Sequence, residues 1–403
     1  MNVLWGIGGI FIVLIIAFLL SSAKGSIKWR TILVGLAFQI LFAFIVLKWE
    51  AGREVLESFS NGVQHLISYA NEGISFLFGP AADTENFGFV FAFQVLTVII
   101  FFSALISVLY YLGIMQFLIR IIGGGLSKLL GTSKAESISA AANIFVGYTE
   151  APLVIRPFIN KMTKSELFAV MTGGLASVSG SVLVGYALLG VPLEYLLAAS
   201  FMAAPAGLVL AKIMIPETEV IDEGNFKLEK DDSSANVIDA AARGASDGMK
   251  LAVNVGAMLL AFIGIIALLN GILGGLGSIF GFEDLTLQGI LGYLFSPLAF
   301  AIGVPWAEAV QAGSYIGQKL VLNEFVAYAS FGPAIAELSD KTVIVVSFAL
   351  CGFANLSSMA ILLGGLGSLA PNRRSDIARL GVRAVAAGML ASLLSAAIAG
   401  MFI

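Results

Sequence analysis

Eight apolar runs, roughly residues 3–21, 31–47, 89–111, 167–188, 194–215, 250–275, 342–366 and 382–402, punctuate the chain. Each is close to the about 17–25 residues that a helix needs to cross a bilayer. Backbone N–H and C=O groups in hydrocarbon have no water to pair with, so such a run must satisfy them internally, as a helix. Alternating ten-residue stretches that would suit a β-barrel are absent. The expected fold is therefore an all-α polytopic membrane protein with about eight transmembrane helices. Composition agrees, since charged residues make up 12% of the 403, against about 25% in soluble domains.

The same composition excludes several functions. One histidine, His65, and one cysteine, Cys351, leave no material for a thiolate or imidazole metal cluster and no internal disulfide. A net charge of −4 spread along a polytopic chain gives no footprint for nucleic acid. The basic residues Lys24, Lys28 and Arg30 follow the first apolar run instead of preceding it, so that run reads as a retained helix and not as a signal peptide.

Charge also sets the expected orientation. An outside N-terminus puts Lys24, Lys28, Arg30, Lys128, Lys134, Arg156, Lys161 and Lys164 at the cytoplasmic face, with Lys227, Lys230, Arg243, Lys250, Arg373, Arg374, Arg379 and Arg383. It leaves mainly Lys48, Arg53 and Lys341 outside. The positive-inside rule selects this arrangement, with both termini outside.

Between the runs, residues 51–78 mix charge and apolar side chains at helical spacing, which predicts an amphipathic helix lying in the outer interface. Residues 216–249 are hydrophilic with both signs interspersed and read as a cytoplasmic linker. Four segments follow: 1–88 with the N-terminal helices and the interfacial helix, 89–215, the linker 216–249, and 250–403. The second and fourth have the same plan, which is an apolar helix, a short piece, a polar-interrupted segment and two further apolar helices. Three crossings per copy make the second copy inverted relative to the first. The interrupted segments, near 135–164 and 305–338, must then enter and leave on the same side, as two oppositely oriented re-entrant hairpins. Paired broken segments in inverted halves mark the substrate site of a transporter.

Those broken segments hold the polar chemistry. NIFVGYTEAPL, from Asn143, carries Thr149 and Glu150, with Gly147 and Pro152 to interrupt the helix. An ionisable group at this depth costs about 2.5–3.5 kcal/mol on insertion scales. It either serves a function, or sits at the headgroups or pairs with Arg156. GQKLVLNEFVAY, from Gly317, places Asn323 beside Glu324, a pattern suited to vicinal hydroxyls, with a salt bridge to Lys319 as the structural alternative. FANLSS contributes Asn355, Ser357 and Ser358 in an apolar helix, and ASVSGS, with Ser177 and Ser179, is its counterpart in the other half. Both suggest unwound mid-helix segments facing the hairpin tips, although serines in such helices often bond only to their own carbonyls. Phe353 could pack on a ligand or belong to the core, while Trp306 reads as an interfacial anchor.

GQKLVLNEFVAY resembles the signature of the concentrative nucleoside transporters, with Gly317, Lys319 and Asn323–Tyr328 in register, and TEAPL and FANLSS extend the resemblance. It runs from the first helix to the last and is to the bacterial form with eight crossings. What it implies is a homotrimer in which a scaffold domain, including the N-terminal and interfacial helices of residues 1–88, supports a transport domain holding both hairpins and sliding like an elevator. By the resemblance, Glu324, Asn355 and Ser358 hold the ribose with Phe353 packed nearby, and Tyr148, Thr149 and Glu150 face the nucleobase. A sodium ion would bind at Asn143, Val146, Ser177 and Val178, the valines through backbone carbonyls, in keeping with a hard cation's demand for oxygen. Position 148 is Tyr where relatives carry Gln, and position 307 is Ala where PWNEA is common. The expected function is import of nucleosides by symport with sodium, or alternatively with protons. A passive channel fits two opposed hairpins poorly, and an intramembrane enzyme lacks a nucleophile or metal set.

Overall fold

A computed structural model describes residues 2–83, 88–221, 234–279, 281–282 and 285–403. Residues 222–233 of the predicted linker, with Lys227 and Lys230, lie outside the described residues. The described chain is helical with no strand. Helices α1 (Asn2–Leu19), α2 (Trp29–Leu47) and α3 (Glu50–Phe78) lead into the first repeat. That repeat contains α4 (Phe91–Tyr111), α5 (Ile114–Leu130), α6 (Lys134–Ala142), α7 (Lys164–Ala176), α8 (Gly180–Leu188) and α9 (Leu193–Met214). The second contains α10 (Val237–Ile279), α11 (Leu287–Ala301), α12 (Trp306–Val321), α13 (Glu324–Phe331), α14 (Asp340–Leu350), α15 (Leu356–Leu369) and α16 (Arg374–Ala399).

Burial separates two layers. In the apolar windows of Lys164–Leu188 and of α9, 94% of residues are buried within the protein, against 22% for α4 and α10. Helices apolar on every side are core elements or face lipid, and here both kinds occur. The inner bundle is α7–α9 and α14–α16 with the hairpins. The outer layer includes the α4–α10 pair, which close-packs through glycine: a Cβ at Gly248 would lie 2.8 Å from the Ile100 Cα. Ser107 adds a hydrogen bond from its Oγ to the Ala240 carbonyl at 2.8 Å. Such small-residue contacts let two backbones approach in an apolar medium that offers no hydrophobic drive for association.

The structure departs from the sequence expectation at one boundary. Residues 237–249, expected in the linker, are helical and open α10. Asp239, Arg243 and Asp247 stand at i,i+4 spacing there, and Lys250 bonds Asp247 at 2.8 Å, so alternating charge supports helix in water where apolar content is low. The unwound mid-helix segments expected at ASVSGS and FANLSS are present: the run 167–188 is two helices, α7 and α8, separated at 177–179, and the run 342–366 is α14 and α15, separated by non-helical residues 351–355.

The hairpins are anchored by helix caps. Ser133 and Glu136 form a reciprocal capping box at the start of α6, and Thr163 and Glu166 form another at α7. Glu136 is fully buried and pairs with Lys212 of α9 at 2.7 Å, which fixes the base of the first hairpin to the inner bundle. The second hairpin runs down α12, turns at Leu322–Asn323 and returns along α13. Helix α11 meets α12 at 116° and braces it.

Candidate functional site

The two helix breaks cross at the centre of the inner bundle. The Phe353 N–H of the second break donates to the Ser177 carbonyl of the first at 3.1 Å. This crossing requires Gly352, whose φ is +153°, and where a Cβ would stand 2.8 Å from the Ala176 carbonyl oxygen. The hairpin tips close on the crossing from the two sides. The Gly180 N–H donates to the Phe145 carbonyl at 2.9 Å, which ties the first tip to the first break.

At the second tip Glu324 opens α13, where the free N–H groups of a helix start favour an anion. It is 4% exposed. The Asn355 Nδ2 donates to its Oε2 at 3.0 Å, and the Tyr186 hydroxyl donates to its Oε1 at 3.2 Å. The Asn355 Oδ1 meanwhile accepts from the Ser358 N–H at 2.8 Å, from the Ser358 hydroxyl at 3.0 Å and from the Ser357 hydroxyl at 2.7 Å, capping α15. Carboxylate, carboxamide and hydroxyl are thus held in one rigid group. Tyr186 is fixed in turn by stacking on Tyr328 at a centroid distance of 4.3 Å.

Every residue that the sequence offered for substrate lines a single cavity of about 1120 Å³: Tyr148, Thr149, Glu150, Glu324, Phe353, Asn355 and Ser358. Glu324, Asn355 and Ser358 are its buried lining residues, each at most 4% exposed. Tyr148 and Phe353 pack together above them, ring centroids 5.0 Å apart and tilted by 57°. Thr149 and Glu150 are exposed to the open part of the cavity, whose wall carries Arg156, Arg243, Asp247 and Lys250.

Three sequence readings need correction. Asn323 does not act beside Glu324: its Oδ1 accepts the Val326 N–H at 2.9 Å and caps α13, while Asn355, distant in sequence, takes the place at the carboxylate. Lys319 is not the salt-bridge partner of Glu324, because its ammonium turns to the Ala349 carbonyl at 2.8 Å and the Ser392 hydroxyl at 3.1 Å. Glu150 and Arg156 also form no ion pair among the described residues. Tyr186 was missed, since nothing near it in sequence distinguishes a tyrosine in an apolar helix from an ordinary core residue.

At the first tip Asn143, Ser177 and Val178 are buried, and the Val146 side chain touches the cavity wall. The Asn143 Nδ2 donates to the Ser139 carbonyl at 2.9 Å, but its Oδ1 is buried without a hydrogen-bond partner. The Ser177 hydroxyl bonds back to the Gly173 carbonyl at 3.0 Å. An orphaned buried oxygen costs about 1–3 kcal/mol unless something binds it. An amide oxygen beside an unwound helix break, with no group of His, Cys, Asp or Glu suited to a metal among the described residues, fits a monovalent hard cation better than a transition metal.

Comparison with known proteins gives one answer along the whole chain. Residues 8–81 and 195–400 match the models of the Na+ dependent nucleoside transporter N-terminus and C-terminus, and residues 92–193 match a nucleoside recognition Gate model. The chain is 65% identical to the Bacillus subtilis transporter YutK, with complete coverage of both. It is 51% identical to the nucleoside permease NupC of Helicobacter pylori, covering 99% of this chain and 98% of the permease. The solved structure of CNTnw in an inward-facing substrate-bound state superimposes with a TM-score of 0.95 at 56% identity, over all of this chain and 98% of that one. With both family segments matched and the helix breaks, hairpins and polar cluster in place, the chain belongs to the Na+-dependent, concentrative nucleoside transporter family.

Proposed function

We propose that this protein imports nucleosides across a bacterial inner membrane by sodium symport, as a homotrimer embedded in lipid with both termini outside. The observation that carries the reading is the buried, hydrogen-bonded Glu324–Asn355–Ser358 group lining the cavity. A carboxylate offers acceptors to two neighbouring hydroxyls, while the amide and serine fix its orientation, so the group suits ribose. Phe353 packs beside the sugar, and Tyr148, Thr149 and Glu150 meet the base on the wall that the first hairpin supplies. Sodium binds at Asn143, Val146, Ser177 and Val178, using the orphaned Asn143 oxygen and backbone carbonyls of the tip and the break.

Coupling follows from this layout. The cation and the nucleoside occupy opposite sides of one crossing, joined by the Phe353–Ser177 hydrogen bond, so ordering one break orders the other. The inner bundle with both hairpins moves as an elevator against a scaffold of α3, α4 and α10. Arg156 and Arg243 lie on the cytoplasmic face under the positive-inside rule, so a cavity open toward them is an inward-facing state.

The test is uptake of radiolabelled uridine into proteoliposomes under separate sodium and pH gradients. An inward sodium gradient alone should concentrate uridine above equilibrium. Accumulation driven by a pH gradient without sodium would replace sodium by protons, and equilibration without accumulation would mean a channel.

A further inference from the structure

Lys319 is fully buried in α12, and nothing in the proposed binding of nucleoside or sodium uses it. Among the described residues no carboxylate lies within ion-pairing distance of its ammonium. A buried unpaired charge is expensive and persists only where other groups replace its hydration. Here the replacement is oxygen from the second helix break. The ammonium donates to the Ala349 carbonyl, in the last turn of α14, and to the Ser392 hydroxyl of α16. Ser392 in turn donates to the Cys351 carbonyl at 3.1 Å. The C-terminal carbonyls of a helix carry a partial negative charge, and a cation is their natural complement. Lys319 thus crosslinks the second hairpin, the end of α14 and α16 around the break that presents Asn355.

The inverted repeat gives this arrangement a counterpart. The hairpin tips align as NIFVGY from Asn143 and NEFVAY from Asn323, which sets Lys319 opposite Ser139. The helices that follow align from their capping residues, Thr163 and Ser339, which sets Ala349 opposite Gly173. In the second repeat the Asn323 oxygen is satisfied by the Val326 N–H, and a lysine ammonium holds the helix end. In the first repeat the Asn143 oxygen and the Ser139 hydroxyl are both buried without hydrogen-bond partners. One junction carries its own positive charge, and the other has spare oxygens and none.

We propose that the Lys319 ammonium is a built-in cation: it does permanently for the second hairpin–break junction what an exchangeable cation does for the first. It rests on the cation reading of the first junction given above. Two consequences follow. Lys319 is a positioning residue for nucleoside, acting through the break that carries Asn355 and Ser358. The two junctions together take up a single exchangeable cation per nucleoside, because the second place is already filled.

The experiment has two arms. In purified protein, Lys319→Met keeps the side-chain bulk and removes the charge. Uridine affinity should fall at least about tenfold, as expected for losing charge-assisted bonds that hold the site. The rise in melting temperature on adding sodium without nucleoside should stay as in the wild type, because the first junction is intact. A packing role alone would leave uridine affinity within about threefold, by the small cost of volume-conserving swaps, and that result overturns the proposal. So does loss of the sodium-induced shift in a well-folded variant. In the second arm, the reversal potential of uridine flux in wild-type proteoliposomes counts charges moved per nucleoside, and it decides the matter if Lys319→Met does not fold. One charge is expected, and two would show a second exchangeable cation and refute the built-in one. If that single charge is carried by protons, the sodium assignment fails while the Lys319 inference stands.

Discussion

The two hairpin–break junctions have nearly the same letters and opposite chemistry. Around Glu324 the site's side chains are committed, with Asn323 capping α13, Asn355 capping α15 and holding the carboxylate, and Tyr186 closing the other oxygen. Around Asn143 an amide oxygen and a serine hydroxyl are left unsatisfied in a buried setting. The first kind of site is rigid before its ligand arrives, so binding energy goes into recognition and little into ordering. The second leaves buried oxygens that a cation would satisfy, in keeping with the proposed ion site. The two halves carry one plan and differ at a few polar positions.

The comparison can be broken most decisively at Glu324. Glu324→Gln removes the charge from two ribose contacts worth about 1.5–3 kcal/mol each. Uridine affinity should drop by at least about a hundredfold, at about 1.4 kcal/mol per tenfold, while the variant stays monodisperse. Free uracil, lacking the sugar, should compete poorly with uridine in the wild type. Equilibrium binding of labelled uridine checks both, and unchanged affinity in the variant would remove the carboxylate from the site.

The crossing itself is tested by Gly352→Ala. The backbone there has φ +153° and the new Cβ would press on the Ala176 carbonyl, so stability should fall by about 1–3 kcal/mol. Thermal unfolding in detergent reads this directly, and a melting temperature equal to wild type would mean that the breaks do not need to touch. Asn143→Ala sharpens the contrast from the other junction. It deletes the orphaned oxygen, so the sodium concentration for half-maximal uridine binding should rise about tenfold, with binding at saturating sodium retained. The smallest effect is expected at Tyr148, which packs on Phe353 at the rim. Tyr148→Gln should reorder uridine, cytidine and adenosine in competition assays by about 1 kcal/mol, since an amide donates and accepts where a phenol has one hydroxyl. A uniform change for all three would mean that Tyr148 only packs.

Much of this was legible in the sequence, for identifiable reasons. Spanning helices announce themselves through length and apolarity. The polar residues of the site stood out because the surrounding sequence is so apolar. What sequence could not supply was pairing over distance. Asn323 is adjacent to Glu324 in sequence, yet Asn355 makes the contact. Lys319 bonds partners thirty and seventy-three positions away. Tyr186 carries no local mark at all. The helical start of α10 was obscured for a different reason, since charge pairing at i,i+4 supports a helix that low apolar content argues against.

The account's central claim, that an ion completes one junction and a nucleoside occupies the other, meets its most direct test in the melting temperature of the wild-type protein. It is measured with uridine, with sodium, and with both, potassium replacing sodium at constant ionic strength. Sodium alone should stabilise, and uridine should stabilise far more in sodium than in potassium, because binding to linked sites raises stability together. An identical uridine shift in the two salts would contradict the claim.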